Sequence, residues 1–136
     1  MSASKLEQSL RNLEKAVQRL REALDEPRSN ALAVDGAIQR FEFVFELNWK
    51  TLKHMLEAEG VAAATPRAVI REAYMAQWID NEPAWLQMLS DRNDTSHTYN
   101  EATAQRIYEN IRNNFPVLAD AAASYRARVN AKPTGS

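Results

Sequence analysis

Cysteine is absent from the 136 residues, which excludes disulfides, thiolate metal sites and a cysteine nucleophile. Glycine is almost as scarce: only Gly36 and Gly60 interrupt the body of the chain. There is no glycine-rich phosphate loop, no β-hairpin signal and no internal repeat, and no cofactor is expected. No apolar run approaches the ~20 residues that span a bilayer. The N-terminal Met1-Ser2-Ala3-Ser4-Lys5-Leu6 lacks the apolar core of a signal peptide, so the expected compartment is the cytoplasm, with no membrane partner. Excess charge is also missing, since 17 basic side chains face 18 acidic ones. Nucleic-acid binders usually carry a basic surplus, because counterion release drives their affinity. Any contact with RNA must therefore rest on locally positive potential.

What is present is a helix-forming chain. Apolar residues make up 45%, and alanine and leucine are plentiful. The length suits one domain with a real core, expected over 1–130, with a disordered tail over 131–136. Leu6, Leu10, Leu13, Val17, Leu20 and Leu24 recur at spacings of four and three, the stripe of one long helix capped by Ser4 and stopped by Pro27. Arg11, Lys15 and Arg19 ladder its other side, a pattern that is usually solvated surface.

A second helix is expected from about Asp35, or somewhat earlier, to Gly60. Ile38, Phe41, Phe45, Leu52 and Met55/Leu56 form one stripe, and Phe43, Val44 and Leu47 widen it. A helix this apolar is either central in a bundle or shared with a second copy, so a homodimer is expected. Lys50, Lys53 and His54 gather in its later turns, where cations complement the helix dipole. His54 reads as a surface residue.

Thr65-Pro66 opens a third helix with Val69, Ile70, Ala73, Tyr74 and Trp78 on its inner face. Asp80-Asn81-Glu82-Pro83 starts a fourth, carrying Trp85, Met88 and Leu89. Thr98-Tyr99-Asn100-Glu101 reads as a capping box for a fifth, with Ala104, Ile107, Tyr108 and Ile111. Pro116 is expected to break or kink that helix before Val117, Leu118, Ala121 and Tyr125 resume its pattern. The fold class is all-α: an antiparallel up-and-down bundle of four to five main helices.

The chemistry concentrates in Arg92-Asn93-Asp94-Thr95-Ser96-His97-Thr98-Tyr99, which holds a permanent cation, an imidazole and a phenol within eight residues. Guanidinium to neutralise charge and imidazole to move protons are what cleavage of a phosphodiester needs. Trp85, Met88/Leu89 and Arg92 share one side of their helix, so Arg92 requires either a carboxylate from the core or a ligand anion at a cleft rim. In unbroken helix, five residues leave Arg92 and His97 roughly 140° apart. The intervening Asn-Asp-Thr-Ser favours caps and turns, and a break there lets both side chains face one pocket. If the helix is regular, convergence needs a second protomer.

This segment resembles the Arg-x4–6-His-x-Tyr signature of the HEPN superfamily, in the branch of HepT-like toxins. It and the string Arg40-Phe41-Glu42-Phe43-Val44-Phe45-Glu46-Leu47-Asn48-Trp49-Lys50 are similar to the subgroup of nucleotidyltransferase substrate-binding proteins. The resemblance runs from the first helix to about Tyr125. It implies an all-helical homodimer paired with a minimal nucleotidyltransferase antitoxin, and metal-independent cleavage of RNA at a site built from both protomers. Arg92 and His97 would then be catalytic and Asn93 a polar helper. Tyr99 would be the residue on which the partner places AMP to silence the toxin. Two other readings stand beside it: a non-catalytic subunit that presents substrate to the nucleotidyltransferase, and a structural bundle whose Arg–His pair satisfies an ordinary contact.

Overall fold

The leucine stripe of the N-terminal sequence does become one long helix. The computed structural model describes residues 2–131, with side chains from Lys5 onward. Helix α1 covers Ser2–Asp25 and buries Leu10, Leu13, Val17, Leu20 and Leu24, while Arg11, Lys15 and Arg19 point to solvent. The helix starts at Ser2, so Ser4 lies inside it and is not its cap. Pro27 falls in the turn that follows, as expected, because its ring cannot continue the hydrogen-bond ladder.

Helix α2, Ala31–Ala58, begins where the Asn30 side chain accepts a hydrogen bond from the Leu32 N–H at 3.0 Å. It stops one residue before Glu59, and Gly60 then takes φ +80°, the left-handed conformation that glycine adopts without a Cβ clash. This helix packs against each of the other four, which explains why its apolar residues occupy more than one face. Phe41, Val44, Phe45, Leu52 and Met55 are buried, whereas Phe43 remains 48% exposed. Within its core, Tyr125 donates to Asn48 Oδ1 at 2.7 Å, which satisfies the phenol and half of the buried amide.

Helix α3, Pro66–Met75, is capped by Thr65, whose hydroxyl accepts from Ala68 N–H at 3.2 Å. It is shorter than its apolar pattern suggests. Trp78 lies beyond its end, and Tyr74, expected inside, is exposed because α3 covers only one narrow strip of the core with Val69, Ile70 and Ala73. Helix α4, Glu82–Asp94, is capped by Asn81 and buries Trp85, Met88 and Leu89.

Helix α5, Glu101–Ala131, differs from expectation at its start, and it is not broken at Pro116. Its first turn is capped by Asn100, which accepts from Thr103 N–H at 3.1 Å, and no Thr98–Glu101 capping box forms. The Thr98 hydroxyl instead donates to the carbonyl of Thr95, at 3.1 Å. Pro116 does not end the helix, which runs through it. The lost hydrogen bond and ring clash are offset because Leu118, Ala121, Ala122 and Tyr125 beyond it still reach the core. Near its end Arg126 clasps both Glu7 and Glu14 of α1, with contacts of 2.9–3.1 Å. The expected tail lies, past Ala131, outside the described residues.

The architecture is thus the all-α bundle of five helices, joined between α4 and α5 by a short irregular segment. That segment carries the motif.

Candidate functional site

Arg92 sits in the last turn of α4 and reaches across to α2, where its guanidinium forms an ion pair with Glu46 Oε1. The other carboxylate oxygen accepts from the Trp49 indole N–H at 3.0 Å, so Glu46 is held from its own helix. A second guanidinium nitrogen donates to Asn93 Oδ1 at 3.2 Å. Both Arg92 and Glu46 side chains are 31% exposed, which places the pair at the rim of the bundle. The carboxylate partner that an arginine on this face requires is therefore present.

The helix breaks where the sequence favours it. Helix α4 ends at Asp94, and Thr95–His97 tighten into one 3₁₀ turn. Thr95 drives this twice over: its backbone N–H and its hydroxyl both bond the Arg92 carbonyl, the hydroxyl at 2.8 Å. His97 emerges exposed, with its ring edge-on to Tyr99 at 6.0 Å between centroids. Tyr99 is 85% exposed, far more than a tyrosine placed for packing.

The break does not by itself unite the motif. Among the described residues, no hydrogen bond or ring contact joins Arg92 to His97 or Tyr99. One chain presents two pairs: Arg92 with Asn93 on the Glu46 side, and His97 with Tyr99 on the exposed side.

Behind this surface a polar clamp fixes α4 against α5. Asp91 is 1% exposed, and its Oδ1 accepts from Gln87 and from Asn110, each at 3.2 Å. Arg106 lies 3.8 Å from Asp91 and donates to Asp94 at 3.4 Å. Asp91 Oδ2 has no partner among the described residues, and burial raises the pKa of this carboxyl against the pull of its donors. Among the described residues, no three His, Cys, Asp or Glu side chains gather as metal ligands would. His54 pairs with Glu57 on α2, at 3.3 Å.

Sequence reasoning missed the roles of Glu46 and Asp91. The signal for Glu46 was a carboxylate between Phe45 and Leu47, in the most apolar stretch of its helix. For Asp91 it was a charge two residues after Leu89, three after Met88, on a helix with a buried face.

The fold is an all-α bundle of five helices in which a break after α4 carries His97 and Tyr99 in solvent. The chain belongs to the family described as nucleotidyltransferase substrate binding protein like, a HepT-like family, whose model matches residues 6–126. It is 35% identical over 83 residues to "Probable ribonuclease HepT" of Haemophilus influenzae, a match covering 57% of this chain and 57% of that one. The chain thus aligns with just over half the length of this curated relative. A solved structure from Thermus thermophilus superposes with a TM-score of 0.73 at 35% identity, covering 86% of this chain and 98% of that one. Another, from Haemophilus influenzae, gives 0.66 at 26% identity, covering 91% and 98%. That second structure is described as revealing the fold of a substrate binding domain of a nucleotidyltransferase.

Proposed function

We propose that this chain is the toxin of a toxin–antitoxin pair, a metal-independent endoribonuclease that a partner nucleotidyltransferase silences by adding AMP to Tyr99. The observation that carries this reading is the exposed His97–Tyr99 pair, set on a helix break one turn past Arg92. An imidazole in water-accessible space is free to exchange protons, and a phenol this exposed is open to a transferase. The name of the Haemophilus relative agrees with a ribonuclease, and the family description agrees with a nucleotidyltransferase partner. In this reading a single domain over 1–130 acts in the cytoplasm.

The mechanism needs two copies. Cleavage begins when the RNA 2′-hydroxyl loses its proton to one His97 and its oxygen attacks the adjacent phosphorus. The bond from phosphorus to the 5′-oxygen then breaks as the His97 of a second copy supplies a proton. The products are a 2′,3′-cyclic phosphate and a 5′-hydroxyl. The two Arg92 guanidiniums, steadied by Glu46 and Asn93, neutralise the equatorial oxygens. Phe43, half-exposed, and Leu32, 80% exposed near the start of the same helix α2, support dimerisation by leaving apolar side chains uncovered in one copy. AMP on Tyr99 sets a phosphodiester anion beside His97, where it excludes the RNA phosphate.

A second reading is favoured by two observations: Arg92 is already neutralised by Glu46, and net charge is −1. Here the chain is a non-catalytic subunit that presents substrate to the nucleotidyltransferase. The deciding experiment compares the chain and His97→Ala for RNA cleavage in EDTA and for growth arrest on expression. The substitution is expected to lower cleavage by about 10²–10⁴-fold and to abolish arrest. Toxicity that survives it, or cleavage lost to chelation, overturns the ribonuclease and leaves the subunit.

A further inference from the structure

Asp91 stands immediately before Arg92 and is sealed between α4 and α5, 1% exposed. Its Oδ1 accepts from Gln87 on its own helix and from Asn110 on α5, each at 3.2 Å. Its buried Oδ2 has no partner among the described residues. Burial raises the pKa of this carboxyl, so its charge is kept against the preference of the site. An amide of the same shape presents the same acceptor to Gln87 and Asn110 without a buried charge. Packing alone therefore favours asparagine here. What only a carboxylate supplies is attraction for a cation.

That cation is Arg106, 3.8 Å away on the second turn of α5. The same guanidinium donates to Asp94 at 3.4 Å. Asp91 and Asp94 lie one helical turn apart on α4 with Arg92 between them, so Arg106 bridges the turn that carries the motif arginine. The 3₁₀ turn begins just after Asp94, yet the Asp94 side chain makes no capping hydrogen bond to it and engages Arg106 instead. The other side-chain hydrogen bonds of this stretch are local: Thr95 bonds the Arg92 carbonyl, and Thr98 the Thr95 carbonyl. Among the described residues, Arg106–Asp94 is the one side-chain hydrogen bond or ion pair that ties residues 94–99 to α5.

An exposed pair of this kind holds little by itself, because water screens it: Arg106 is 50% exposed and Asp94 38%. The buried Asp91 changes that. Its pull on the guanidinium is screened far less, and Asn110 fixes it in the seam between the two helices. Asp91 thus anchors Arg106, Arg106 anchors Asp94, and His97 follows Asp94 by three residues.

We propose that Asp91 is a positioning residue: through Arg106 it holds the helix break in one conformation, and so fixes where His97 stands relative to Arg92. It touches no substrate. Its part in cleavage rests on the ribonuclease reading, whereas the tether itself does not. Imidazole and guanidinium must be held accurately against the phosphate, and a misplacement of about 1 Å costs on the order of 10²-fold in rate. A carboxylate kept at an energetic penalty beside the motif is accounted for in this way.

The test compares the full chain with Asp91→Asn, Arg106→Gln and Arg106→Lys at pH 7, reading backbone amide order parameters, urea denaturation and RNA cleavage. In the parent, Thr95–Thr98 should be rigid, with order parameters of about 0.85, and in Asp91→Asn and Arg106→Gln these should drop toward about 0.6. Arg106→Lys keeps the charge and should stay near the parent. The urea midpoint of Asp91→Asn should be no lower than the parent's, which separates loss of order in the turn from loss of the fold. In cleavage, kcat should fall about tenfold in Asp91→Asn and Arg106→Gln while KM changes less than about twofold. The double variant should be no worse than the weaker single one, because a single chain of contacts is cut twice. Order parameters unchanged in both variants, already in the flexible range in the parent, or equally lowered in Arg106→Lys overturn the proposal. So does a loss of cleavage that tracks a lowered urea midpoint or falls on KM alone. If Asp91→Asn does not fold, Arg106→Gln at its half-exposed site decides the matter. A parent that cleaves no RNA ends the ribonuclease reading, and the order parameters still decide the tether, so the two fail separately.

Discussion

Arg92 and Glu46 are paired across the gap between α4 and α2, with the Trp49 indole holding the far oxygen of the carboxylate. The motif arginine is therefore not a free surface cation. It is aimed by a residue 46 positions earlier in the chain.

Glu46→Gln separates stability from positioning. Both partners are about a third exposed, so the stability change measured by urea denaturation should stay below about 1 kcal/mol. RNA cleavage should fall on the order of tenfold to a hundredfold, because the guanidinium loses its anchor. Unchanged cleavage would mean that Glu46 is only a counter-ion.

Tyr99→Phe addresses the silencing step. Incubated with ATP and the partner nucleotidyltransferase, the chain should gain an AMP-sized mass, and the variant should not. Its cleavage should persist, since the phenol takes no part in moving protons. An increment retained in the variant assigns the modification elsewhere.

Tyr125→Phe probes the bundle. Removing the hydroxyl leaves Asn48 Oδ1 buried without its donor, beside an Nδ2 that already lacks a partner among the described residues. A loss of about 1–3 kcal/mol is expected in denaturant unfolding. Burial also pushes the Tyr125 phenol well above its ordinary range, so it should stay protonated in alkali that ionises free tyrosine.

Two carboxyls make opposite contributions to the pH dependence of stability. Hydrogen bonds from Arg126 and Arg11 lower Glu7 from 4.5 to about 2. Its contribution is full above pH 4.5 and disappears as pH falls toward 2. The cost of Glu7→Gln should therefore shrink across that window. Asp91 is raised above 3.8 by burial, so its ionisation in the fold is penalised as pH rises past that value. Relative to the parent, Asp91→Asn should be more stable at pH 7 than at pH 3.5, as thermal unfolding at the two pH values will show.

Periodicity made the helices legible. A stripe such as Leu10-Leu13-Val17-Leu20-Leu24 has one way to be buried, and Thr65, Asn81 and Pro66 mark helix starts through local hydrogen bonds and fixed φ. The break after Arg92 was legible for the same reason, since Thr95 bonds a carbonyl three residues back. Tyr74 and the α5 cap were misread because each depends on a neighbour. How much of α3 is covered, and whether Asn100 or Thr98 reaches the free N–H groups, is settled by packing between helices. The helix continues past Pro116 because burial beyond it outweighs the local cost.

By itself the sequence determined an all-helical chain, where it bends, and which cation, imidazole and phenol flank the bend. Those properties arise from backbone and side chains within a few residues of one another. Only the tertiary structure decided that Glu46 receives Arg92 and that Asp91 is buried against Asn110. Such pairings join residues far apart in the chain, and their energies exist only once α2, α4 and α5 have packed together.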